Sequence, residues 1–161
     1  MNSNRRTIDR RVVAIAAGLG LASLSGSLAP PALAQPAGAG EGAKICGWFT
    51  PADIATYLGV AVAAGEVNGP LKSQCQWNGK SDGGASISIQ IVPRSDWEVP
   101  DLADGFKRVK GIGETAYIVP QFGGWQAGAR TAAKVVVVGG RGGTLTAEKT
   151  LDLLRAAANH S

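Results

Sequence analysis

The N-terminal segment determines how much of this 161-residue chain belongs to the mature protein and in which compartment that protein works. Four arginines between residues 5 and 11 precede an apolar run of small residues over 12–29, and Ala32-Leu33-Ala34 fits the A-x-A site of signal peptidase. We therefore expect residues 1–34 to be a cleaved signal peptide. The protein would then be exported and would work outside the cytoplasm, where cysteines can pair.

Other interpretations of this segment are less well supported. A retained anchor would need about 20 strongly apolar residues, but glycines and serines interrupt the run. A lipid anchor would need a cysteine directly after the cleavage site, and the first cysteine is Cys46. We expect no stable membrane insertion after cleavage. The Arg5-Arg6 pair leaves both the general secretory route and the twin-arginine route open.

The basic character of the chain belongs to the expected signal peptide. The full sequence carries 16 Lys and Arg against 12 Asp and Glu. Removing the four arginines and one aspartate of residues 1–34 leaves 12 against 11. A nucleic-acid surface is therefore not expected. The remaining 127 residues suit one domain with a single core.

The expected mature chain begins with a small-residue linker over 35–43 and continues as one domain over 44–161. Residues 50–53, Thr-Pro-Ala-Asp, combine an N-cap, a first-position proline and an acidic third residue, so they predict a short helix that ends at Gly59. A second helix is expected from about Thr146 to Asn159.

The middle of the domain is expected to form strands. Ile87, Ile89 and Ile91 alternate with polar residues, a period that buries one face of a strand. Val135-Val138 is apolar without alternation, which indicates a central strand covered on both faces. The expected strand segments are 60–67, 74–78, 85–92, 117–119 (ending at Pro120), 124–130 and 133–139. These elements predict an α+β fold: an antiparallel sheet of about five strands with an N-terminal and a C-terminal helix packed on it.

Cys46 and Cys75 are the two cysteines of the chain, and an even pair in an exported protein favours a disulfide. The alternative is a redox or metal pair. The chain has no C-x-x-C motif, and its one histidine, His160, lies next to the C-terminus. We expect a structural bridge, no metal site and no cofactor.

The order of several short motifs resembles a broad group of small bacterial exported domains, many of them lipoproteins. The motifs are Cys46-x-x-Phe49-Thr50-x-x-Asp53-Ile54, Leu58-Gly59, Cys75-x-Trp77 and Gly111-Ile112-Gly113-Glu114-Thr115-Ala116. The resemblance implies a disulfide between the two cysteines and a sandwich similar to PsbP-like α+β domains. It implies no catalytic residues. This chain differs from the lipoproteins of the group because it has no lipidation cysteine.

Two glycine-rich segments match nucleotide-binding motifs only in part. Residues 111–116 fit the G-x-G-x-x-A of dinucleotide folds, but a strand-like run follows instead of a helix, so a tight turn is expected. Residues 139–143 lack the Gly-Lys-Ser/Thr ending of a phosphate loop. We interpret them as a mobile connection before the last helix.

Four carboxylates, Asp96, Glu98, Asp101 and Asp104, cluster within nine residues. Oxygen ligands of this kind bind calcium, and a pair of them can perform acid–base chemistry. The spacing is not that of an EF-hand, and Pro100 interrupts the run. A solvated acidic loop is therefore the expected structure, with no catalytic residue assigned.

The tryptophans divide between core and surface. Trp77, two residues from Cys75, is expected in the core, whereas Phe122, Trp125 and Trp97 lie in Gly- and Pro-containing segments. We expect these three to form a contact patch for a partner or a sugar ring; core packing is the alternative.

The sequence favours an exported binding or accessory domain of the cell envelope, with an unidentified protein or small-ligand partner, rather than an enzyme. A small secreted hydrolase that uses the acidic cluster, or an inhibitor of a secreted enzyme, is the alternative.

Overall fold

A computed structural model describes residues 40–81 and 84–161, which build one antiparallel sheet and three α-helices. The helices are α1 Glu41–Cys46, α2 Pro51–Leu58 and α3 Ala147–Ala158. The strands are β1 Glu66–Asn68, β2 Gln74–Asn78, β3 Ser86–Val92, β4 Lys107–Val109, β5 Thr115–Gln121, β6 Gly124–Arg130 and β7 Val135–Arg141. Their order across the sheet is β1-β2-β3-β7-β6-β5-β4.

The expected signal peptide over residues 1–34 lies outside the described residues, as does most of the expected linker over 35–43. The last three residues of that linker segment differ from the expectation, because α1 begins at Glu41. This short helix packs on β1 and β2 and carries Ile45 into the core. Burial of Ile45 and the disulfide that follows it account for a helix that sequence composition alone does not favour.

The alternation in β3 separates the two faces of the sheet as predicted. Ile87 and Ile89 are fully buried beneath the helices, while Ser86 and Ser88 point to the opposite face. Because directly paired residues of antiparallel strands share a face, the register extends this division across the other strands. We call the side away from the helices the open face.

Strand β7 occupies the centre of the sheet, with β3 on one side and β6 on the other. Val135, Val136 and Val138 have no exposed surface. The prediction of a central strand is therefore confirmed, although on the open face Val135 is covered and Val137 is half-buried. The strand also continues through Gly139 and Gly140 to Arg141, so the first three residues of the predicted connection over 139–143 are strand, and only Gly142 and Gly143 lie in the connection to α3.

The α+β class and the antiparallel sheet are confirmed, but the strand count of about five is wrong, because the sheet has seven strands. Two three-residue strands form its edges: β4 was not expected from the sequence, and β1 includes only the last two residues of the strand expected over 60–67. Short, charged edge strands protect a sheet from further pairing. Pro120 also lies within β5 rather than at its end, because β4 stops short of it and leaves that side of β5 unpaired.

The predicted ends of the two longer helices are confirmed. Thr50 caps α2, because its hydroxyl oxygen accepts a hydrogen bond from the backbone amide of Asp53. The Asp53 carboxylate in turn accepts a hydrogen bond from the backbone amide of Thr50. Gly59 ends this helix in the left-handed conformation, with φ 71°. Thr146 caps α3 in the same way as Thr50, accepting from the amide of Lys149.

The expected disulfide between Cys46 and Cys75 is present, and it joins the end of α1 to β2. Cys75 and Trp77 are fully buried, and the Trp77 ring meets Phe49 edge-on at 6.5 Å. A Cβ at Gly65 would lie 2.6 Å from the Cys75 sulfur and 2.7 Å from the Trp77 indole nitrogen. The loop before β1 thus lies directly on the disulfide and the indole.

Replacing both cysteines, Cys46→Ala with Cys75→Ala, is expected to lower the free energy of unfolding by about 3 to 4 kcal/mol. The bridge closes a loop with a sequence separation of 29 residues, and its loss frees the unfolded chain. Urea unfolding measures the change. Reductant should destabilise the natural protein by a similar amount and leave the double variant unaffected. A loss below about 1 kcal/mol would contradict this account.

The capping box of α2 predicts a pH-dependent contribution from Asp53. Hydrogen bonds from the Thr50 hydroxyl and amide hold the pKa of the Asp53 carboxyl below its usual value. A carboxyl with a lowered folded pKa stabilises the protein above its unfolded pKa, and the stabilisation disappears as the pH falls through the folded pKa.

Asp53→Asn should therefore be less stable than the natural protein at pH 7 and equally stable once the natural carboxyl is protonated. Thermal unfolding over a pH series measures this difference. Asp101→Asn removes the same charge from an exposed turn and serves as the control. An equal loss of stability at every pH would show that charge plays no part in the cap.

Candidate functional site

Two of the three aromatics expected in a contact patch lie together at one end of the sheet. Phe122 stands in the two-residue turn between β5 and β6 and is 87% exposed. Its φ of 46° and the 76° of Gly123 are both left-handed, as in the type I′ turns that suit hairpins. Trp125 follows at the start of β6, where it is half-buried and packs against the core.

Trp97 lies elsewhere, in an aromatic cluster on the open face. Its ring stacks on Tyr117 at a centroid distance of 6.2 Å, and Phe106 packs on the same tyrosine at 5.8 Å. Burial raises the pKa of the Tyr117 phenol, and contacts with the Gln126 amide and the Trp97 indole partly oppose this rise. Trp97 therefore covers part of the sheet with Phe106 instead of joining Phe122 and Trp125.

A shallow polar depression of about 190 Å³, which we call the trough, adjoins Phe122 on the open face. Cross-strand pairs form its floor, since Gln76 lies opposite Ser88 and Ser88 opposite Gly139. Gly139 has no side chain, which lowers the floor at that point. The residues that line the trough are Gln76, Ser86, Ser88, Gln121, Phe122, Trp125, Gly139, Gly140 and Arg141.

A larger and mainly apolar cavity of about 340 Å³, which we call the groove, lies at the other end of β3. Its floor is formed where β3 ends beside the start of β7, and the 3-10 turn Pro70–Lys72 forms one wall. The residues that line it are Pro70, Leu71, Ser73, Gln90, Ile91, Val92, Pro93 and Ala133, with Glu41, Arg94, Asp96 and Lys134 among them as charged groups.

The wall of the groove is held in an unfavourable backbone conformation. Leu71 and Lys72 have φ values of 57° and 52°, and a left-handed residue other than glycine costs on the order of 1–3 kcal/mol. This conformation leaves Leu71 66% exposed beside the groove. Leu71 therefore combines a largely exposed apolar side chain with an unfavourable backbone conformation at the edge of the groove.

The four charged groups of the groove each have an opposite charge or a hydrogen-bonding partner close by. The Lys134 ammonium lies 3.1 Å from the Glu41 carboxylate. The Arg94 guanidinium lies 3.0 Å from Glu114 and also donates to the Ala132 carbonyl. Asp96 accepts a hydrogen bond of 2.7 Å from the Ser95 hydroxyl. The groove is therefore an apolar surface whose two cations are both compensated.

Among the described residues, the one histidine lies between aromatic rings and the acidic side chains form no metal-binding cluster. In residues 40–81 and 84–161, no three side chains of the histidine, cysteine or acidic types lie close enough to hold a metal ion. His160 stacks on Trp48 and meets Phe49 edge-on, each at 5.5 Å between ring centroids. The same part of the chain contains no helix long and apolar enough to span a membrane.

No family model, curated protein or solved structure matches this chain. The resemblance to exported lipoprotein domains therefore remains a hypothesis, and the function is argued from the trough and the groove. Sequence reasoning indicated the trough only through Phe122 and Trp125, and it missed the groove. The serines and glutamine of β3 were visible as its polar side, but the left-handed backbone at Leu71 has no signal in the sequence.

Proposed function

We propose that this protein is an exported binding domain of the cell envelope that holds a small, uncharged and mainly apolar ligand in the groove. The observation that carries the proposal is the exposed Leu71 on a left-handed backbone beside an apolar cavity. A volume of about 340 Å³ lies within the size range of ligand sites in proteins. The expected signal peptide and the disulfide support an envelope location.

The chemistry of the lining supports an uncharged ligand. Val92, Pro93 and Ala133 offer apolar contacts, whereas the cations Lys134 and Arg94 are paired with carboxylates. A charged ligand would have to compete with those pairs or be desolvated without a partner, which costs free energy. An apolar ligand gains about 25 cal/mol for each square ångström that it removes from water.

One polar group gives the groove a means of orienting such a ligand. The Ser73 hydroxyl already donates to the Pro70 carbonyl at 3.1 Å. The Gln90 side-chain amide, on the open face of β3, has no hydrogen-bond partner among the described residues. It offers both donor and acceptor functions within an otherwise apolar lining, which is the composition typical of small-molecule sites.

The alternative of an acid-dependent hydrolase has less support. Of the acidic cluster, Asp96 borders the groove, and its carboxylate is occupied by the Ser95 hydroxyl. The lining is mainly apolar, and the Ser95 hydroxyl that contacts Asp96 does not line the cavity. No observation favours the inhibitor alternative. A groove of apolar side chains with compensated charges favours binding over catalysis.

Titration with N-phenyl-1-naphthylamine, an uncharged apolar dye whose fluorescence rises in apolar surroundings, tests the groove. The protein should bind it saturably, and Leu71→Asn should weaken binding about fivefold, because a contact of about 1 kcal/mol is lost. Asparagine accepts the left-handed conformation more readily than leucine, so this variant should be at least as stable as the natural protein.

Leu102→Asn is the matched control, because Leu102 is 97% exposed and does not line the groove. It should bind the dye like the natural protein. Equal affinities for all three proteins, or no saturable binding, would refute the groove as the site.

Export has its own test in the mass of the protein isolated from the envelope fraction of its host. We expect a chain that begins at Gln35 and is two hydrogens lighter than the reduced form, because the signal peptide is removed and the cysteines are joined. A chain that retains residues 1–34 would contradict cleavage and favour an anchored form.

A further inference from the structure

We propose that the trough is a second binding site, independent of the groove, and that it recognises an acidic carbohydrate. The ring hydroxyls of the sugar would meet the amide and hydroxyl side chains of the trough. A carboxylate or phosphate on the sugar would pair with Arg141, and a ring face would rest on Phe122. This inference goes beyond the proposed function and does not depend on it.

The shape of the trough suits a flat, polar ligand. Its floor consists of side chains that project from adjacent strands in register, with Ser86 opposite Arg141 and Ser88 opposite Gly139. Gly124 also lies opposite Arg141, where a Cβ would come within 2.0 Å of the Gly140 carbonyl oxygen. Glycine on this face keeps the floor low beside the projecting Arg141 and Phe122.

The hydrogen-bonding groups of the trough are neutral and partly fixed in position. The Gln76 amide accepts from Asn68 at 2.9 Å and donates to Asn78 at 2.8 Å, so both of its ends are held. The Ser86 hydroxyl and the Gln121 amide have no hydrogen-bond partner among the described residues. Uncharged groups that both donate and accept are the natural complement of sugar hydroxyls.

The charge of the trough distinguishes Arg141 from the other described arginines. Arg94 and Arg130 share Glu114, Arg155 pairs with Asp152, and Arg108 lies over the Phe106 ring at 5.7 Å. Within the described part of the chain, the Arg141 guanidinium has no carboxylate within 4.0 Å and no hydrogen-bond partner. A free guanidinium beside neutral donors binds a carboxylate or phosphate in two-pronged geometry.

Phe122 supplies the apolar part of the site. Its ring is 87% exposed beside the polar floor. Its φ of 46° is unfavourable for an aromatic residue, although glycine or asparagine would fit this turn without strain. A bulky ring retained at such a position is explained by contact with a ligand, and the face of an aromatic ring packs well against the C–H face of a sugar.

Isothermal titration of the protein with four probes tests the proposal. The probes are the tetramer of galacturonic acid, its fully methyl-esterified form, glucose 6-phosphate and inorganic phosphate. We expect the acid to bind at least about tenfold more tightly than the ester, because only the acid pairs with Arg141. Comparison of the acid with glucose 6-phosphate decides whether the natural anion is a carboxylate or a phosphate.

Arg141→Gln should weaken binding of the acidic sugar about tenfold and leave the ester unaffected. Arg155→Gln removes the same charge from α3, on the other side of the sheet, and should change neither affinity. Phe122→Asn, which suits the turn, should weaken the binding of both the acidic sugar and its methyl ester. These three variants should bind N-phenyl-1-naphthylamine like the natural protein. A loss of sugar binding at the trough can then be distinguished from a loss of dye binding at the groove.

Several results would overturn the proposal. Equal affinities for the acidic sugar and its ester would show that Arg141 does not bind the carboxylate of the sugar. Inorganic phosphate that binds as tightly as the acidic sugars would reduce the trough to an anion site without sugar recognition. Absence of binding by both acidic sugars would exclude the site altogether.

Discussion

The antiparallel pairing of β3 with β7 is the constraint on which both candidate surfaces depend. Seven residues of each strand are paired, and the register places Ile89 opposite Val138 and Ile91 opposite Val136 beneath the helices. Because side chains alternate along a strand, the same register directs the polar side of β3 to the open face. A shift by one residue would bury Ser88 and expose the isoleucines, so the burial of this core selects the arrangement of the trough as well.

The helices and the disulfide complete that core from one side only. Helix α3 packs on β6 and β7, while α2 packs on β3 and Cys46 ties α1 to β2. On the open face, the segment 93–106 covers only the part of the sheet around Tyr117, on which Trp97 and Phe106 pack. This cover leaves the trough and the groove accessible at the two ends of β3, where the sheet presents side chains of opposite polarity.

Local signals account for most of the fold that could be predicted from the sequence. The cap at Thr50, the glycine stop at Gly59 and the alternation in β3 are each contained within a few residues, and each is confirmed. The three-residue β4, in contrast, forms only because β5 offers it an edge, so its charged sequence carries no strand signal. The glycines after Val138 likewise belong to β7, because their neighbours across the sheet require a close approach of the backbone.

The candidate surfaces were less predictable, because they depend on backbone conformation and on contacts between distant segments. Phe122 was expected at the surface from its glycine neighbours, whereas the packing of Trp97 on Tyr117 joins residues 20 positions apart. Arg141 stands within a glycine-rich segment, and nothing in that local sequence marks it as unpaired. Its isolation becomes visible when the other described arginines are found paired or stacked.

The two surfaces share one physical property. In the described part of the chain, the non-glycine residues with left-handed φ are Leu71, Lys72 and Phe122. Leu71 and Phe122 are also among its few large apolar side chains that remain exposed. A strained backbone opposes folding, and an apolar side chain that stays exposed contributes no burial energy in return. The two features occur together at the groove and at the trough, where contact with the proposed ligands would bury the exposed side chains and offset the strain.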